Sequence, residues 1–281
     1  MNEMQSKIIL FCLIATFLSC TQEKDKKGNN NSIQNIEKKE LQTILDSSKV
    51  NGVILIFDFQ QNKYYSNNFL KAKDSVLPAS TFKIPNSIIG LETGILRDEQ
   101  TVFKWNGNKR AFSIWEKDLS LKEAFQKSCV PCYQELARKI GTKRMNKNLK
   151  KLKFGEMDVN NENIDNFWLI GNSKITPFQQ IDFLNRLYNK QLPISNQTSE
   201  TLKEIMRIEQ NDNYVLSGKT GLVIGEKKET GWFVGYIEKG EKIFYFATKI
   251  IPNENDMQRN KFSSLRKEVT ISALKKLKII E

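Results

Sequence analysis

The chain has 281 residues, with 44 lysines and arginines against 32 aspartates and glutamates, no histidine, and a net charge of +12. Without imidazole there is no Ser-His-Asp or Cys-His hydrolase, no HExxH protease and no His-ligated metal or haem, so any general base is a carboxylate, a lysine, a tyrosine or something less usual. A composition of 39% hydrophobic and 27% charged residues is globular, one large domain or two entwined lobes, and its positive balance suits anionic partners, nucleic acid among them.

Residues 8–18 form an apolar run of eleven, too short for a bilayer core of ~30 Å at about 1.5 Å rise per residue. After a weakly basic start and before Ser19-Cys20, it makes residues 1–19 an export signal, with a periplasmic destination. Phe17-Leu18-Ser19-Cys20 resembles a bacterial lipobox, which makes Cys20 a candidate for lipidation and a membrane tether; ordinary cleavage nearby is the alternative. Residues 20–35 are polar, rich in Lys, Asn and Gln, and read as a disordered tether reaching about 20 Å. The catalytic domain is expected over 36–281.

Within it the apolar spacing predicts a helix over 36–46, then a strand over 50–59 hairpinned to the stretch around Tyr64 and Tyr65. A helix over 80–93 is closed by Gly94. Further helices over 119–127, 133–140, 143–152, 176–190 and 198–208 compose a helical lobe spanning roughly 97–210. Strands return over 214–220, 230–238 and 242–251, and a basic amphipathic helix over 261–277 ends the chain. Strands at both ends with helices between predict an α/β fold of the α+β type: an antiparallel sheet flanked by terminal helices, with an all-helical lobe inserted.

With histidine absent, serine and lysine are the first candidates for chemistry. Ser80-Thr81-Phe82-Lys83 places a hydroxyl and an amine three residues apart, on one face of a helix. At the helix start Ser80 also meets free backbone N–H groups. Ser-x-x-Lys alone means little: it occurs at Ser80, Ser264 and Ser272, about as often as chance allows, and the last two belong to the basic C-terminal helix. Lys219-Thr220-Gly221 is much rarer by chance and ends a strand. It is not a Walker A loop, because Asn213 stands where that motif needs glycine and strand-like residues follow. Ser128-Cys129-Val130 lies between the two motifs.

The order Ser-x-x-Lys, Ser-x-Val, Lys-Thr-Gly resembles the penicillin-interacting serine enzymes, and among them the class D (oxacillinase-type) β-lactamases. The segment from Pro78 through Ser80 and Lys83 to Asn86 resembles that family's nucleophile segment. Ser128-Cys129-Val130 with Tyr133-Gln134-Glu135, Phe167-Trp168-Leu169 and Gly231-Trp232-Phe233 resemble three more of its segments. The likeness runs from about residue 40 to the end. Two departures stand out. Phe154-Gly155-Glu156 has Glu where the family has Asn, which adds a charge near the pocket wall. Cys129 and Cys132 occupy places where small apolar residues are usual, and inside a helical stretch packed thiols are expected rather than a disulfide.

The resemblance implies hydrolysis of β-lactams through a Ser80 acyl-enzyme, with Lys83 as N6-carboxylysine, made from carbon dioxide or bicarbonate, serving as general base. No other cofactor and no metal is implied. Catalysis falls to Ser80, Lys83, Ser128 and Lys219, and the substrate pocket to Val130, Trp168, Thr220, Gly221, Leu222 and Arg266. Trp168 is to hold the carbamate, Ser80 and Leu222 N–H groups the oxyanion, and Thr220 and Arg266 the substrate carboxylate. For Arg266 alone, a surface charge is the other reading. The rival functions are a β-lactam sensor domain and a penicillin-binding peptidase, which acylate but deacylate slowly. The basic stretch Lys143, Arg144, Lys147, Lys150, Lys151 and Lys153 would suit a nucleic-acid binder, but reads better as a solvated helix face. The expected partners are β-lactam small molecules and no nucleic acid, with the chain a monomer or dimer.

Overall fold

The computed structural model describes residues 32–224, 229–253 and 258–281. The expected export signal, Cys20 and residues 20–31 of the expected tether lie outside the described residues. In chain order, β1 (Gln34–Glu37) and α1 (Lys39–Ser47) lead into the hairpin of β2 (Val50–Asp58) and β3 (Lys63–Ser66). A 3-10 turn, Ala79–Phe82, runs directly into α2 (Lys83–Glu92). The lobe that follows carries a short ladder, β4 (Val102–Phe103) with β5 (Leu119–Ser120). Its helices are α3 (Leu121–Gln126), α4 (Val130–Ile140), α5 (Thr142–Leu152), α6 (Pro177–Tyr188) and α7 (Asn196–Met206). Then β6 (Arg207–Gln210), β7 (Val215–Val223), β8 (Thr230–Lys239) and β9 (Lys242–Pro252) return the chain to the sheet, and α8 (Arg259–Lys276) follows.

The main sheet has seven strands in the order β1-β3-β2-β9-β8-β7-β6. At its centre β2 pairs antiparallel with β9 from Val50↔Pro252 to Asp58↔Phe244, so early and late strands meet as expected. The edge pair β1–β3 is parallel; the other pairs are antiparallel.

Alternate side chains explain why the central strands are apolar throughout, since they bury both faces. Val53, Leu55 and Phe57 of β2 join Trp232, Val234, Tyr245 and Ala247 in the core shared with the helical lobe. Ile54 and Ile56 join Phe233, Phe246 and Ile250 on the other face, covered by Leu41 and Leu45 of α1 and Phe262, Val269 and Leu274 of α8. Each such side chain contributes roughly 1.5–3 kcal/mol of burial.

Three lobe helices, α3, α6 and α7, start at a hydroxyl cap. Ser120 with Glu123, and Thr176 with Gln179, form reciprocal capping boxes, and Ser195 accepts the Thr198 N–H. On α5, Met145, Leu149 and Leu152 are buried, while Lys143, Arg144, Lys147, Lys150 and Lys151 are exposed, with Lys153 just beyond. No helix among the described residues is long and apolar enough to cross a membrane.

Two expectations are corrected. The helix predicted over 36–46 is split, because Lys38 is extended and the residues before it form β1. Gln34 and Asn35, placed in the tether, therefore belong to the sheet. The helix predicted to reach 208 stops at Met206, where Arg207 turns extended and pairs with Ser217. Beyond Ser217, no strand among the described residues pairs with β7 on that side, and there the Ser80 turn approaches: a Cβ on Gly221 would lie 3.1 Å from the Pro78 carbonyl oxygen.

Candidate active site

The Ala79–Phe82 turn is fixed from every side before it presents Ser80. Ala79 has φ +47, costly for a residue with a Cβ, and its N–H donates to the Trp168 carbonyl at 2.9 Å. The Trp232 indole donates to Leu77 O at 3.0 Å. The Thr81 hydroxyl donates to Pro78 O at 2.7 Å and accepts from the Gln180 amide at 2.8 Å. Lys83, one turn on, places Nζ 3.1 Å from Ser80 Oγ.

Lys83 is fully buried. Phe82 stacks on Trp168 at 5.3 Å and meets Phe167 edge-on at 4.7 Å, and Lys83 Nζ lies 4.9 Å from the centre of the Tyr133 ring. Tyr133 is itself held by a 2.7 Å hydrogen bond between its hydroxyl and Ser87. With no salt-bridge partner among the described residues, burial alone lowers the Lys83 pKa from 10.5 to about 7. The amine is therefore uncharged in a substantial fraction of molecules at neutral pH. In the same apolar cluster the buried Trp168 indole N–H has no hydrogen-bond partner among the described residues. Buried donors are nearly always satisfied, so this orphan fits an acceptor that the unmodified side chains lack.

Opposite the turn, Lys219 of β7 is hydrogen-bonded through Nζ to Ser128 Oγ and reaches Thr220 O at 3.2 Å. Burial, then repulsion from Lys83 and Arg266, holds Lys219 well below the ordinary lysine range. Ser128 adopts φ +53 between α3 and α4, and its N–H is bonded to Phe125 O at 3.1 Å. Val130 opens α4, half-buried against the core.

Arg266 of α8 donates from Nη1 to Gly221 O at 2.6 Å and from Nε to Ser263 O at 2.8 Å. Burial lowers the guanidinium pKa to about 10. Its second terminal nitrogen has no protein acceptor among the described residues. Thr220 and Leu222 are half-buried on β7, Leu222 opposite Gly231 of β8. The structure thus brings Ser80 to Lys83 and Ser128 to Lys219, and joins Arg266 to Gly221 at the same strand.

Cys129 and Cys132 form a disulfide with Cα atoms 5.4 Å apart, correcting the expectation of packed thiols. The pair straddles a helix start instead of lying inside a helix. Cys129 is the N-cap of α4, with non-helical backbone, and Cys132 lies in its first turn, a spacing within disulfide reach. Glu156 is exposed, its backbone bridged to Lys174, while Phe154 beside it packs 4.8 Å from Phe183 in the core. The supporting roles of Gln180, Ser87 and Trp232 had no local signal, since each acts on a residue brought close only by the fold.

A family model described as penicillin binding protein transpeptidase domain matches residues 23–273. The β-lactamase OXA-48 of Klebsiella pneumoniae is 38% identical over 232 residues, covering 83% of this chain and 85% of that protein. A class D β-lactamase structure, YbXI from Nostoc, has 42% identity and a TM-score of 0.80, covering 84% of this chain and 98% of its own. A class D β-lactamase structure from Sebaldella termitidis has 35% identity and a TM-score of 0.84, covering 89% and 100%. The regulatory protein BlaR1 of Bacillus licheniformis is 30% identical over 217 residues, but the match covers only 36% of that protein. The fold agrees with these matches, and the chain belongs to the class D β-lactamase family within the penicillin-binding transpeptidase group.

Proposed function

We propose that this protein hydrolyses β-lactam antibiotics through an acyl-enzyme on Ser80, with carboxylated Lys83 as general base. The observation that carries the reading is the Lys83–Ser80 pair. A buried lysine with a pKa near 7 lies 3.1 Å from the serine hydroxyl, in a cluster that also holds an unpartnered indole N–H.

An uncharged amine adds to carbon dioxide, releasing a proton and leaving an anionic oxygen base next to Ser80. The Trp168 N–H is the donor to hold it. Ser80 Oγ, relieved of its proton, attacks the lactam carbonyl, and the C–N bond breaks as the acyl ester forms. Backbone N–H groups of Ser80 and Leu222 are the donors for the developing oxyanion. Lys219 and Ser128 form the route by which a proton reaches the departing nitrogen. Arg266 and Thr220 take the substrate carboxylate, for which the planar guanidinium gives charge-assisted hydrogen bonds. Water then cleaves the ester and regenerates Ser80.

The test is nitrocefin turnover. Hydrolysis of many equivalents per protein supports the enzyme; consumption of a single equivalent would favour the sensor or peptidase reading instead. We also propose export, with Cys20 lipidated as a membrane anchor. Partition of the expressed protein into the detergent phase, lost in Cys20→Ala, tests that anchor; an aqueous wild-type protein refutes it.

A further inference from the structure

We infer that the Cys129–Cys132 disulfide, together with Arg110, is a positioning device that holds Ser128 against Lys219, so that acylation reaches its full rate only when the cross-link is closed. The inference rests on the catalytic reading above and assigns these residues a part in it.

Ser128 is a single residue in the left-handed region between two helices, a conformation that other contacts must enforce. Three consecutive residues there are tied down separately. Lys127 O accepts the Trp115 indole N–H at 2.9 Å. The Ser128 N–H is bonded to Phe125 O, and the Cys129 N–H to Ala124 O at 2.9 Å. These bonds fix the segment on its α3 side. On its α4 side the disulfide fastens Cys129 to the first turn, where the Cys132 N–H also donates to Cys129 Sγ at 3.3 Å.

Arg110 joins both halves. Its Nη1 lies 4.0 Å from each sulfur and donates to Trp115 O at 2.6 Å, so one guanidinium links the disulfide to the loop whose tryptophan holds Lys127. Both sulfurs are buried, with Cys129 0% and Cys132 1% exposed, so opening the cross-link takes prolonged treatment with a strong dithiol. Reduction by a dithiol breaks the S–S bond, adds a proton to each sulfur and oxidises the reagent to its own disulfide. Two bonded sulfurs then become non-bonded thiols needing van der Waals separation. In a close-packed interior, that shifts the first turn of α4 and loosens Ser128 beside it.

The proton route through Ser128 serves bond breaking in acylation, whereas ester hydrolysis depends on Lys83 and water. The device therefore acts on one half-reaction. The experiment compares full-length wild type with Cys129→Ala/Cys132→Ala, measuring acylation by stopped-flow nitrocefin cleavage and deacylation from the isolated acyl-enzyme. We expect acylation about tenfold slower and deacylation unchanged, with circular dichroism preserved. Arg110→Ala should slow acylation in the same direction. If the double variant does not fold, the two rates are measured on dithiothreitol-treated wild type, opening of the cross-link being checked by the gain of two hydrogens in the peptide carrying both cysteines. Equal acylation rates with and without the cross-link overturn the proposal, as does a parallel fall of both rates. Wild-type protein that never turns over nitrocefin refutes the catalytic reading itself, a distinguishable result.

Discussion

Arg266 lies across Gly231 so closely that a Cβ on that glycine would come within 2.5 Å of Arg266 Cγ and 2.7 Å of Cδ. The arginine reaches the β7 edge because β8 carries no side chain beneath it. Gly231→Ala should therefore displace Arg266 and raise KM for carboxylate-bearing substrates about tenfold, with kcat less affected. Arg266→Ala should raise it further. Steady-state kinetics with a substrate whose carboxylate is esterified supply the check. An equal loss on the ester would remove carboxylate binding from Arg266.

The Lys83 pKa gives a stability effect with a definite sign. Its value is about 7 folded and near the ordinary 10.5 unfolded, so the unfolded chain binds more protons between those values. Stability attributable to this group therefore rises with pH across that window. In carbon dioxide-depleted buffer, Lys83→Met should stabilise the protein by a few kcal/mol at pH 7, and the gain should vanish above about pH 10.5. Chemical denaturation of both proteins across that range measures it. A gain that grows with pH would contradict the assignment.

In the proposed mechanism the same amine sets the acid limb of activity. Only the uncharged form adds carbon dioxide, so turnover should fall as pH drops below about 7. Depleted enzyme should recover on addition of bicarbonate. Lys83→Ala should lose at least about a hundredfold in kcat without loss of fold, the usual scale for a general base. A depleted enzyme indifferent to bicarbonate would eliminate the carboxylated base.

Trp168 separates packing from hydrogen bonding. Trp168→Phe keeps an aromatic ring against Phe82 and removes the unpartnered N–H. We expect a modest loss of thermal stability but a tenfold or greater rise in the bicarbonate needed for half-maximal activity, about the worth of one charge-assisted hydrogen bond. An unchanged requirement would mean the indole serves only the core.

Much of this site was legible because its pairs are local or carry a rare motif. Ser80 and Lys83 are a helical turn apart, and Lys219-Thr220-Gly221 lies within a strand that its own apolar pattern reveals. The terminal strands were legible for the same reason, as both of their faces are apolar. β1 was not, because Gln34-Asn35-Ile36-Glu37 is a polar edge segment whose strand exists only through β3. β6, Arg207-Ile208-Glu209-Gln210, is similar, and it follows a helix without any turn signal. The disulfide was misread because the segment reads as helical throughout, whereas Cys129 is the non-helical N-cap of α4 and Cys132 lies in its first turn, a boundary the sequence does not mark. Gln180 and Trp232 support the Ser80 turn from 99 and 155 residues away along the chain, in the contacts Gln180–Thr81 and Trp232–Leu77, beyond any window of sequence pattern.

The pairing of β2 with β9 also governs when the enzyme comes into existence. The second strand to be synthesised waits for the last, and Lys219 bridges 91 residues to Ser128. Contacts of such long sequence separation make folding slow, because much chain must be ordered before they form. A growing polypeptide thus carries every reagent of the reaction and no reactive centre until nearly all of it has been made. Truncation before α8 should leave an inert protein, not a weakened one, since it uncovers one face of the sheet and removes Arg266 together.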